Sequence, residues 1–194
     1  MFIKRFILAS TSLLVIFIPI TAIAEENLTD NSMISREDRL KNAVQSQNLV
    51  LDDSARLNIV LKCQNSQAIL KGVQSQSDTA IRQREDTYNN IQKEVKAIKI
   101  RMARQGSDAS EADLFLGRMQ DALDQFTLTA DKYGTSLNDS INVDCQSNPE
   151  YFMASLVLMR GHRSKLYTTT SKLQTIVRNS ISDTFEPLKK RLTI

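Results

Sequence analysis

Residues 60–102 read VLKCQNSQAILKGVQSQSDTAIRQREDTYNNIQKEVKAIKIRM. Steps of three and four alternate through Val60, Cys63, Gln67, Leu70, Gln74, Ser77, Ile81, Arg84, Tyr88, Ile91, Val95, Ile98 and Met102. Most of these are apolar, and residues three and four apart share one face of an α-helix. The spacing predicts one long helix over 54–105 with a sustained heptad seam. Gly106 closes it as a C′ glycine would.

Two further helices follow outward from that stretch. Asp108 with Glu111, or Ser110 with Asp113, offers a capping box. The seam Ala112, Leu116, Met119, Leu123, Phe126, Ala130, Tyr133, Leu137 then predicts a helix over 109–142. Asn148-Pro149-Glu150 supplies an N-cap, a proline at the first helical position and an acid in the first turn. From there Phe152, Leu156, Met159, Arg163, Leu166, Thr170, Leu173 and Val177 predict a third helix over 148–190, with Pro187 bending or ending its last turns. Upstream, residues 25–53 read as a flexible leader holding at most a short helix, with Ser35 as cap and Asp38 three residues on. Three helices with short connections pack antiparallel, so the expected fold is all-α: an elongated three-helix bundle or coiled coil over 54–194.

Composition agrees with helix. Five Gly, three Pro and no Trp are too few turn formers for a many-stranded β fold. The start of the chain reads as a secretory signal over 1–24. Lys4 and Arg5 precede an apolar run from Phe6 to about Ile20, and Ala22-Ile23-Ala24 has the small-x-small pattern of a cleavage site. A retained membrane anchor is the alternative, because the run approaches the ~18 residues that span a bilayer. Cleavage after Ala24 places the protein in the periplasm, outside the cell or on its surface. Without Lys4 and Arg5 the 25 basic side chains become 23, against 22 acidic ones. So small a balance is no argument for nucleic-acid binding.

An exported chain with two cysteines points to a disulfide, since that compartment oxidises thiols. Cys63 lies about 43 residues before Gly106 and Cys145 about 39 after it. Antiparallel helices therefore bring both to one level. A free-thiol pair and a metal site are the alternatives, and two cysteines without a neighbouring histidine speak against metal.

Arg84 and Arg163 fall on predicted seams, where an unpaired charge is expensive. Counting from the cysteine end sets Arg84 level with Asp124, and Arg163 level with Asp131 or Asp78, so ion pairs between helices are expected. The other reading is that the arginine heads snorkel to solvent. Gly72, Gly134 and Gly161 share a level too, which fits close helix approach or a flexible waist. Lys99, Arg101, Arg104, Lys189, Lys190 and Arg191 collect at the turn end. Macrodipole complementarity accounts for them, and contact with an anionic surface is the sharper alternative.

No catalytic, metal or cofactor motif stands out. His162 is the single histidine, which excludes the common triads and histidine-based metal sites. No glycine-rich phosphate loop occurs, and no small-molecule substrate is evident. Asn27-Leu28-Thr29 and Asn138-Asp139-Ser140 match glycosylation sequons.

Asp53-Ser54-Ala55-Arg56 ahead of Cys63, and Asp144-Cys145 followed by Pro149, Phe152 and Arg160, complete the pattern. With the signal, these resemble small exported all-helical proteins of ultrasmall candidate-phylum bacteria. The resemblance implies fold and compartment and carries no functional residues. A looser likeness is to helical periplasmic chaperones with basic tips, although the β-stranded body by which those trimerise has no counterpart here. The expected function is a non-enzymatic structural or binding role in the cell envelope, toward an envelope protein or an anionic envelope polymer. A holdase-type chaperone is the alternative. Leu57, Leu61, Ile69, Val73 and Ile100 flank the first seam and offer a surface for self-association.

Overall fold

A computed structural model describes residues 34–180. The signal, its cleavage site, residues 25–33 of the leader, Pro187 and the cluster Lys189, Lys190, Arg191 lie outside the described residues. Four α-helices follow in order: α1 (Arg36–Ser46), α2 (Asp53–Arg104), α3 (Ser110–Asn142) and α4 (Pro149–Ser180).

The boundaries have local causes. Ser35 Oγ accepts the Asp38 amide at 3.1 Å and donates to Asp38 Oδ2 at 2.7 Å, fixing the start of α1. Its end is set by Asn48, at φ 47°. There the Asn48 and Leu49 amides donate to Gln45 O and Val44 O, the paired closure of a left-handed helix cap. Asp52 Oδ1 accepts the Ala55 amide at 2.7 Å and opens α2. Gly106, at φ 68°, closes it with the same pair of bonds, from Gly106 N to Ala103 O and from Ser107 N to Met102 O. Neither capping box expected for α3 forms. Asp108 instead accepts the Ser110 amide at 2.9 Å and the Ser110 hydroxyl at 3.0 Å.

Two features of the expected architecture are overturned. The described residues form four helices rather than three, because α1 is not a solvated leader. Leu40 and Ala43 are buried, and α1 lies against α4. Nor is coiled-coil geometry shown among the described residues. A coiled coil buries a narrow two-in-seven stripe on every helix, whereas α3 has neighbours on two sides, α2 and α4. It buries Ala112, Phe115, Met119, Ala122, Leu123, Phe126, Ala130, Tyr133, Ser136, Leu137 and more, a face wider than the predicted seam. The long α2, about 78 Å by its 52 residues, lies at the side of α3 and buries only Cys63, Tyr88, Gln92 and Val95.

Cross-helix contacts give the register. Lys99 meets Asp113, Gln92 meets Gln120, Ser77 meets Tyr133 and Gln67 meets Val143, so α2 and α3 run antiparallel. The core forms three packets along the axis. Phe115, Met119, Phe126 and Leu173 centre the one toward the Gly106 turn. Tyr133, Leu137, Ile141 and Met159 make the middle. Leu40, Cys63, Val143, Cys145 and Phe152 fill the far end, where α1 joins the other helices.

Candidate functional site

The most elaborated part of the molecule is that far end. Cys63, on α2, and Cys145, in the connection between α3 and α4, form a disulfide with a Cα–Cα distance of 6.3 Å. Both half-cystines are buried, at 1% and 4% exposure. The loop around Cys145 is tied down by its own polar groups. Asp144 accepts the Ser147 hydroxyl at 2.7 Å, the Gln146 amide at 3.1 Å and the Ser147 amide at 3.4 Å. These donors, the Ser147 hydroxyl foremost, hold the Asp144 carboxyl below its ordinary value. Gln67, a polar exception in the α2 seam, donates its amide to Val143 O at 2.8 Å and Ser140 O at 3.3 Å. It thereby satisfies carbonyls that the end of α3 leaves without helical partners.

The short helix α1 is held by charge as well as by Leu40. Asp139, on α3, has a side chain only 5% exposed. Arg39 reaches it with Nε at 3.1 Å to Oδ2 and its Nη2 at 2.8 Å to Oδ1, a two-pronged pair. Arg36 adds a longer contact at 3.5 Å. Gln47 donates to Ala154 O on α4 at 3.3 Å, while its Oε1 is buried without a hydrogen-bond partner. At the same end, Arg56 of α2 pairs with Glu150 of α4. The sequon Asn138-Asp139-Ser140 lies within α3, with Asp139 and Ser140 buried rather than on a surface loop.

Of the two readings of the seam arginines, the structure follows the one in which their heads reach solvent, and the expected ion pairs do not form. Arg84 donates to Thr170 Oγ1 at 3.4 Å, not to Asp124. Asp124 instead accepts from Gln120, which in turn accepts from Gln92. Arg163 is exposed, and among the described residues it forms no ion pair with Asp131 or Asp78. The reason is position. α2 is laid along one side of α3, so Arg84 stays exposed and its head needs no buried carboxylate. Asp78 and Asp131 line an open groove of about 490 Å³ between α2 and α3, together with Ile81, Arg82, Glu85 and Gly134. Nor is close approach the reason for the glycines, since a Cβ at Gly72, Gly134 or Gly161 meets nothing within 4 Å.

At the turn end, Lys99 pairs with Asp113, while Arg101 and Arg104 are exposed in the last turn of α2. Glu111 and Asp113 lie in the first turn of α3, and Asp108 just before it is held below its ordinary value by the Ser110 amide and hydroxyl. His162 meets the buried Ser136 hydroxyl through Nδ1 at 3.1 Å. The same hydroxyl is within hydrogen-bond distance of the Lys132 and Tyr133 carbonyls of its own helix, and the contact ties α4 to α3. Among the described residues no group of three or more His, Cys, Asp or Glu is placed to hold a metal ion. No helix among them is long and apolar enough to cross a membrane.

Comparison with protein-family models, with curated proteins and with solved structures finds no match to this chain. What the geometry itself establishes is a compact all-helical domain, pinned at one end by a buried disulfide and an ion-paired short helix. Two determinants of that end, Arg39 and Asp139, escape sequence reasoning. Asp139 sits one residue from the predicted face of α3, and Arg39 lies in a segment with too few apolar positions to declare a packed face.

Proposed function

We propose that this is an exported, non-enzymatic helical-bundle protein that braces or binds a component of the cell envelope. The observation that carries the reading is the buried Cys63–Cys145 disulfide. Such bonds persist in oxidising compartments and are rare in reducing ones, which accords with the signal-like start of the chain. The surface of α2 supports a binding role. Leu57, Leu61, Ile69 and Ile100 are all exposed, Leu61 at 73%, along roughly 65 Å of one helix. An envelope protein suits those apolar side chains, and an anionic polymer suits Lys93, Lys96, Arg101 and Arg104. The same exposed apolar side chains favour a second reading, a holdase that clasps unfolded clients.

The test is to trap thiols rapidly in the native cells, fractionate them and alkylate. The expected result is a chain recovered outside the cytoplasm, shortened after Ala24 and carrying no free thiol. A cytoplasmic chain with both cysteines alkylated sinks the reading. Aggregation of a thermally unfolded client separates the two roles. A brace leaves light scattering unchanged at equimolar protein, whereas a holdase suppresses it.

A further inference from the structure

We propose that α1 is a releasable cover over the Cys63–Cys145 disulfide, and that the Arg39–Asp139 ion pair is its latch. Access of an external thiol to the disulfide is then set by opening of α1 rather than by unfolding of the bundle.

The case begins with what packs around the half-cystines. Leu40 of α1 shares one apolar cluster with both half-cystines, Val143 and Phe152. The other members come from α2, α4 and the connection that carries Cys145, all continuous with the main bundle. Only α1 can leave without disturbing the rest. It has 11 residues, too short for a stable helix on its own, and buries two side chains, Leu40 and Ala43. By contrast α3 buries thirteen residues. Elements with so few buried contacts open first, locally, while the core remains folded. Residues 47–52 between α1 and α2 give it slack to swing away.

The latch is the polar restraint on α1, beside the burial of Leu40 and Ala43. Arg39 makes a bidentate, charge-assisted pair with Asp139, and Arg36 adds to it. Arg39 and Arg36 remain 27% and 46% exposed, so dissolved salt reaches the pair and weakens it. With the latch open, a thiolate of a small dithiol attacks one protein sulfur. The sulfur–sulfur bond breaks, the other cysteine leaves as a thiolate and takes a proton from water. The second thiol of the reagent then displaces the mixed disulfide. Two electrons pass from the dithiol, which leaves as a cyclic disulfide, and both cysteines end as thiols.

The experiment follows reduction of the folded, oxidised full chain by dithiothreitol without denaturant, quenching with a maleimide and counting modified thiols by mass. Arg39→Ala is expected to reduce about ten-fold faster than the unsubstituted protein, the scale of losing a charge-assisted hydrogen bond. Arg56→Ala, which removes the α2–α4 pair at the same end, changes the rate by less than about two-fold because that pair lies outside the cover. Raising salt should accelerate the unsubstituted protein and leave Arg39→Ala nearly unmoved. A rate in Arg39→Ala equal to the starting protein's overturns the proposal. So does an acceleration that merely tracks global unfolding measured in urea. If Arg39→Ala does not fold, the salt series on the unsubstituted protein decides, and a rate indifferent to salt overturns the latch.

Discussion

Asp139 shows how one side chain decides whether a segment belongs to the fold. Its carboxylate is nearly out of water and takes Arg39 in two-pronged fashion, with Arg36 beside it. Truncation by Asp139→Ala strands two guanidiniums that can partly rehydrate. The expected loss is about 1–2 kcal/mol, below the ~3–5 kcal/mol of a fully buried pair, and urea denaturation measures it. Asp144 acts by a different physics. Its carboxyl is exposed and held below its ordinary value of 3.8 by the Ser147 hydroxyl and the Ser147 and Gln146 amides. A folded-state value below the unfolded one means the contribution is present above about pH 3.8 and lost as pH falls through the folded value. The Gln146 and Ser147 amides should therefore lose protection on acidification below that point. In Asp144→Asn that pH step should vanish, as amide exchange across the range will show.

At the scale of elements, the helices read from sequence and those in the structure differ where packing, not propensity, decides. The end of α2 was legible because Gly106 is a residue with a conformational reason to be there, and its φ of 68° agrees. The level of Cys63 and Cys145 was legible because helical rise is nearly constant. The start of α1 was legible in Ser35 and Asp38, but its packing was not, since Leu40 and Ala43 alone do not make a periodic pattern, and its cap at Asn48 uses a residue with many other uses. The pairing of Arg84 was not legible either. Seam position says that a side chain faces a neighbour, but not whether that face is dry, and here Thr170 meets a head still open to solvent. The glycines within the helices yield a prediction of their own. A Cβ at Gly72, Gly117 or Gly161 meets nothing within 4 Å. Replacing each with Ala should stabilise the fold by up to ~1 kcal/mol, nearly additively. A shift of the urea midpoint for the single and triple variants checks it.

For the whole molecule, stability is unevenly distributed. The packet around Phe126 and Leu173 is a large apolar core flanked by a few polar ties such as Gln92–Gln120 and Arg84–Thr170, whereas the far end combines a small packet with a disulfide, ion pairs and a capping glutamine. The bridge closes a loop spanning 82 residues. On chain-entropy grounds it stabilises by roughly 4–5 kcal/mol, less if the reduced chain keeps structure. Complete reduction, or Cys63→Ser with Cys145→Ser, should lower the melting temperature markedly while leaving the helical circular dichroism at low temperature mostly intact. A melt unchanged by reduction would mean that packing alone sets the far end.

The most direct measurement is amide hydrogen exchange of the oxidised chain, read peptide by peptide across residues 34–52. If α1 completes a four-helix end, amides from Leu40 to Ser46 exchange well below the rate of an unfolded peptide, yet faster than those of α3. Exchange of that whole segment at the unfolded rate, with α2 to α4 protected, would leave only three packed helices and contradict the four-helix end.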